Sequence, residues 1–140
     1  MLGHWAGGLV TATLAGPPVV RVFTGEHDQV AQARYFVARV LAGSPAADDV
    51  ALLTSELATN AVLHTASGKG GVFHVVICAA GQRVRVEVHD GGSDTAPDVH
   101  PPADPGESGR GLFLVEAMAA RWGHRGGPAG RVVWFEVDGS

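Results

Sequence analysis

Residues 48–65 read DDVALLTSELATNAVLHT, and the way this stretch folds decides the layout of everything around it. Its apolar residues recur at helical spacing, which predicts a helix over about 47–65. At about 100° per residue, with Val50 set at zero, Leu53, Leu57 and Ala61 fall near about 300°, 340° and 20° and form one apolar arc. Glu56, Asn60 and His64 fall near about 240°, 280° and 320°, inside that arc. A carboxylate turned into a core costs several kcal/mol unless something compensates it, and nothing else in the helix can pair with Glu56. Two readings fit. Either this face lines a cavity that holds a cation, water or a polar ligand, or the three groups bond to neighbouring loops, an option strongest for His64 at the helix end.

Working outward, VVRVFTG (19–25) reads as a short strand, and Val30, Ala33, Val37, Val40 and Leu41 predict a helix over about 27–42. Ser44 before Pro45 marks a helix start. After SGKGG (67–71) come VFHVVICA (72–79), a β-branched strand, and RVRVEVHD (83–90), the cleanest alternation in the chain. Val84, Val86 and Val88 face one way and Arg83, Arg85, Glu87 and His89 the other, which predicts one buried and one wet sheet face. RGLFLVEAMAARW (110–122) reads as a third helix, followed by a short strand near 122–126 and a longer one at RVVWFEVD (131–138). The order predicts an α/β (α+β) two-layer sandwich, with helices on one face of a mixed, mainly antiparallel sheet. Residues 1–18 are expected to form a flexible N-terminal arm, and 19–140 a single domain.

The composition narrows the function. Of 140 residues, 46% are hydrophobic and 17% charged, as in a globular domain. The net charge is −4 and no run of Lys or Arg appears, so no nucleic-acid partner is expected. The single cysteine, Cys78, lies in an apolar run and reads as a buried thiol in a reducing compartment. The N-terminus lacks a basic leader, and no segment approaches the ~20 apolar residues that span a bilayer. A cytoplasmic protein is the expectation.

Two further sites carry chemistry. In VEVHDGG (86–92), alternation turns Asp90 to the side of Val84, Val86 and Val88, so an acceptor faces inward at a strand end. Such a group suits the exocyclic amine of a flat heterocycle, and Gly92 permits close backbone approach, although Asp-Gly is also ordinary turn chemistry. In GESGRGLFLVEAM (106–118), Ser108, Gly109, Arg110 and Gly111 precede a helix, where unpaired N–H groups and the positive helix end favour phosphate. A plain transition from loop to helix is the alternative. Between Asp90 and Gly111 runs a connection of about twenty residues, the length of a lid or binding loop, or of a disordered insertion. Together the three sites can form one pocket, with a base at Asp90, phosphates at Gly109–Gly111 and Mg²⁺ at Asn60. A histidine metal site is not expected, because no pair among His4, His27, His74, His89, His100 and His124 has helical ligand spacing.

This ordered set resembles the Bergerat-fold superfamily of gyrase, heat-shock-chaperone, histidine-kinase and MutL ATPases. SELATNAVLH (55–64) looks like its N box, DGG (90–92) its first glycine box and ESGRGLFLVEAMAARWG (107–123) its second. More narrowly, LLTSELATNAVLHT, GRGL and the terminal RWG…GRVVWFEV resemble the anti-sigma-factor serine kinases, in particular the small ATP-binding regulators of actinomycetes. The resemblance covers about residues 20–138.

It implies an ATP- and Mg²⁺-dependent protein-serine kinase. Asn60 would ligate Mg²⁺, Glu56 would be the general base, and Asp90, supported by Gly92, would bind the adenine amine. Ser108, Gly109, Arg110, Gly111 and Leu112 would hold the phosphates. It also implies protein partners, an anti-anti-sigma protein or a sigma factor, and a homodimer. One departure stands out: many relatives have Lys-Thr where this chain has Arg131-Val132, and superfamily members often use a Thr near there as a second adenine contact. A nucleotide-binding interaction module with little transfer activity is the alternative function. A histidine-kinase catalytic domain is disfavoured, since the chain has no room for a dimerisation helix pair.

Overall fold

The computed structural model describes residues 17–94, 97 and 110–139, with the backbone alone for 110 and 111. The expected N-terminal arm and most of the 91–109 connection lie outside the described residues. The chain forms β1 (Val19–Thr24), α1 (Gln29–Val40), α2 (Ala47–His64), β2 (Val72–Ala80), β3 (Arg83–Asp90), α3 (Arg110–Met118), β4 (Arg121–Gly127) and β5 (Gly130–Asp138). The strands make one sheet in the order β1-β2-β3-β5-β4, and every described pairing is antiparallel. The helices lie on one face, and this two-layer arrangement is the one the element order predicts.

The core sits between the layers. Val50, Leu53, Leu57 and Ala61 of α2 meet Val75, Ile77, Val84, Val86, Val88, Val133 and Phe135 of the sheet, all essentially buried. Phe23 anchors edge strand β1 by stacking on Phe73 at 5.4 Å and tilting against Phe36 at 6.0 Å. Leu52 and Leu63, on the far side of the helical wheel from this arc, are half-buried and exposed. Polar groups on α2 are absorbed locally: the Thr54 hydroxyl donates to the Val50 carbonyl at 2.8 Å, a back-bond that removes a buried donor without a tertiary partner. The helix begins at Ala47, and Ser44 Oγ accepts the Ala46 N–H at 3.2 Å rather than capping the first turn. Asp48 and Asp49 there complement the positive helix end. The third helix stops at Met118, four residues short of Trp122, because Arg121 already opens β4.

The expected wet face is a correction. Arg85 is 2% exposed and Glu87 0%, as deeply buried as the valines opposite them. β3 is the central strand, so long side chains on its outer face lie along the sheet and reach β5 instead of water. The Arg85 guanidinium stacks 4.2 Å above the Trp134 ring, and its Nε and Nη1 bond Glu87 at 2.9 Å and Glu136 at 3.1 Å. Glu87 also holds His89 Nε2 at 2.8 Å. Gly123 makes room for Trp134, since a Cβ there would meet the indole at 2.9 Å. Toward its edges the same face opens to water, at Arg83 and Asp138 and at Val20 and Val22 of β1. Cys78 is buried on this face beside Val76 and is not in a disulfide.

Burial and the neighbouring His89 lower the pKa of His74. A histidine whose folded pKa is depressed stabilises fully above its unfolded value, about 6.5, and that contribution is lost as pH falls below it. Stability measured by urea unfolding should therefore drop between pH 7 and 5, and His74→Gln should flatten that slope.

Candidate functional site

The described part of the site is assembled where α2 and β3 end. Two hydrogen bonds tie these ends together: the Ala66 N–H donates to the Gly92 carbonyl at 3.0 Å, and the Gly91 N–H donates to Ser67 Oγ at 2.8 Å. Ser67 in turn donates to the Val72 carbonyl at 2.7 Å, so a single hydroxyl locks the turn after α2 to the segment after Asp90. Sequence reasoning missed Ser67, because a serine in a glycine-rich turn carries no signal of its tertiary partner. α3 packs against α2.

The predicted residues separate by environment. Asn60 is 6% exposed, and its Nδ2 is buried with no hydrogen-bond partner. Glu56, one turn earlier, is half-buried and engaged with its surroundings. His64 is exposed and lines a hollow of about 360 Å³ with Thr65, Lys69, Gly92 and Asp94. The helical arc therefore grades from sealed at Asn60 to open at His64. Ser108 and Gly109 lie outside the described residues. Arg110 and Gly111 open α3, and Leu112 is 3% exposed within the core, so Leu112 could meet a ligand only through its backbone.

Asp90 faces inward, as alternation predicts, but it does not stand alone there. Oδ1 accepts the Gly92 N–H at 2.8 Å and Oδ2 accepts Arg131 Nε at 3.0 Å. Burial pushes the Asp90 carboxyl above the usual range, and the Gly92 N–H and the Arg131 charge only partly offset it. β3 and β5 pair Asp90 with Arg131 and His89 with Val132. The position beside Asp90 is thus Arg131, and Val132, to which the sequence comparison drew attention, lies in register with the outward His89. The signal was available in RVVWFEV: alternation from Val133 and Phe135 puts Arg131 on the inner face.

Gly92 has φ +98°, and a Cβ there would lie 2.4 Å from the Pro128 carbonyl oxygen and 2.5 Å from that of Gly127. The turn between β4 and β5 is what demands glycine at this position, whatever a ligand also requires. A larger hollow of about 670 Å³ lies toward the β1 edge, lined by Val20, His74, Val76 and His89 among others. Those four side chains belong to the outer sheet face, and the hollow runs from them to Ser67, Asp90 and Gly91; Asn60 is not among its lining residues.

One donor at this site, Asn60 Nδ2, suits a metal-bound nucleotide, and neither of the two hollows is lined by Asn60. An unpartnered buried amide costs about 1–3 kcal/mol, and a phosphate oxygen or metal-bound water beside Asn60 would complete it. Among the described residues no group of three His, Cys, Asp or Glu side chains could hold a metal, so an ion at Asn60 would take its other ligands from phosphate and water, as Mg²⁺ commonly does.

Among the described residues no helix is long and apolar enough to cross a membrane. A family model described as a histidine kinase-like ATPase domain matches residues 23–137. No curated protein matches the chain.

Proposed function

Because the chain belongs to the histidine kinase-like ATPase domain family, whose fold binds ATP, we propose that it is an ATP-dependent protein-serine kinase acting as an anti-sigma-type switch. The observation that carries this reading is the buried Nδ2 of Asn60, without a hydrogen bond, one turn from the half-buried carboxylate of Glu56. A domain that only displayed a surface to partners would have no evident use for that pair.

In this reading Asn60 holds Mg²⁺ and Asp90 accepts the adenine amine. The backbone N–H groups of Ser108 to Leu112, with Arg110, hold the phosphates at the start of α3. Bound Mg²⁺ supplies charge neutralisation at the phosphates, the main electrostatic requirement of phosphoryl transfer. Glu56 takes the proton from an incoming serine hydroxyl, for which it must lie within hydrogen-bond reach. That serine belongs to a docked protein, an anti-anti-sigma partner, and the same surface holds a sigma factor inactive. The active species is a homodimer.

Incubation with γ-labelled ATP and host lysate tests the reading directly: label is expected on a serine of a small partner protein. Glu56→Ala should bind Mg-ATP within about threefold of the parent yet transfer label at least about 100-fold more slowly, the size of a lost general base. Equal transfer rates would remove Glu56 from that role, and binding without transfer by the parent itself would leave an interaction module. For Asp90→Asn, discrimination between ATP and GTP should fall by about tenfold, the effect of one charge-assisted hydrogen bond. Unchanged discrimination in competition calorimetry would refute the base contact.

A further inference from the structure

The Asp90–Arg131 pair is incomplete as it stands. Their side chains are 1% and 3% exposed, a depth at which polar groups are nearly always satisfied. Arg131 Nε donates to Asp90 Oδ2. Nη2 lies 3.0 Å from the same oxygen, close enough for charge attraction, but makes no aligned hydrogen bond and has no other partner. A carboxylate offers about four acceptor positions. Oδ2 is taken by the guanidinium and Oδ1 by the single Gly92 N–H, so one acceptor position remains on Oδ1. The pair therefore presents a spare acceptor position on Asp90 Oδ1 and, on Arg131 Nη2, N–H groups without an aligned hydrogen bond.

That complement matches one purine edge better than another. Adenine shows a single exocyclic amine beside a single unprotonated ring nitrogen, N1. Guanine shows two adjacent N–H donors and an acceptor beyond them, and would leave one donor without a partner.

We infer that Arg131 is a specificity-determining residue of the base pocket, donating from Nη2 to adenine N1 while Asp90 Oδ1 accepts from the adjacent amine. The inference rests on the nucleotide reading above and adds a residue to it. Arg131 has two functions in this arrangement: it neutralises a buried carboxylate, and it supplies the ring contact that a hydroxyl would otherwise make. An arginine suits both tasks, because its planar fork holds Asp90 through Nε and still has N–H groups to offer from Nη2.

The test uses the full chain in titration calorimetry with Mg-ATP, Mg-GTP and Mg-1-deaza-ATP, in which a C–H replaces N1. The parent is expected to bind 1-deaza-ATP about tenfold more weakly than ATP, the loss of one hydrogen bond to a charged donor. In Arg131→Met the gap should shrink to less than about twofold. Arg131→Lys, which keeps the charge beside Asp90 and serves if the methionine variant does not fold, should give an intermediate gap. Equal affinity of the parent for ATP and 1-deaza-ATP overturns the assignment, as does an undiminished gap in either variant or a preference for GTP. If the parent binds none of the three, the nucleotide reading itself fails, an outcome distinct from failure of the Arg131 contact.

Discussion

Glu87→Ala is expected to destabilise the domain by about 3 kcal/mol, lowering the melting temperature by about 10 °C. Glu87 is fully buried and holds both Arg85 and His89. Removing one member of a buried ion pair typically costs about 3–5 kcal/mol, mostly because the partner's charge is left without compensation. The low end applies because Arg85 keeps Glu136 and its stacking on Trp134. Replacing Arg85 and Glu87 together by Met and Leu should cost less than Glu87→Ala alone, because the two opposite charges leave together and the buried Glu136 keeps Arg121 as its partner. A double replacement more damaging than the single one would show that the pair itself stabilises the sheet. The same carboxylate has a pH signature. Burial pushes it up, but hydrogen bonds from His89 and Arg85 hold it below the usual range on balance. Its contribution is therefore present above the unfolded value of about 4.3 and lost as pH falls through the lower folded value. Acid unfolding of the parent should be steeper below about pH 4 than that of Glu87→Ala.

Asn60→Ala is expected to abolish measurable Mg-ATP binding, a loss of at least about 100-fold, while leaving the fold stable. Deleting an amide that ligates a metal removes the ion's one protein anchor in this reading and also a donor to phosphate. Stability should change little or rise slightly, because the variant no longer buries an unpartnered N–H. That combination separates a ligand-binding amide from a structural one, whose removal would cost stability and spare affinity. Calorimetry with and without Mg²⁺, beside a thermal melt, reads both. Retained affinity in Asn60→Ala would detach the metal from this residue.

How legible the site was varies from residue to residue, and the pattern has a cause. Asn60 and Glu56 were visible because helical periodicity is a property of the segment itself: polar groups at fourfold spacing inside an apolar arc conflict with it locally. Asp90 was visible for the same reason, through the twofold alternation of β3. Its partner was not recognised, because pairing Asp90 with Arg131 requires the register of two strands separated by some forty residues. Ser67 and the reason for Gly92 also depend on which turns pack together.

What the chain specified by itself was the local order of the fold: helix against strand, the apolar face of each, and the inward turn of Asn60 and Asp90. These follow from side-chain period and backbone propensity within a few residues. Tertiary structure alone decided that β3 is central, and with it that the outer face buries Arg85 and Glu87 as an ion-paired layer. It also decided that an arginine closes on Asp90. Burial and pairing of charge depend on neighbours brought together by strand order, and a period of two is the same for a strand at the edge as for one in the middle.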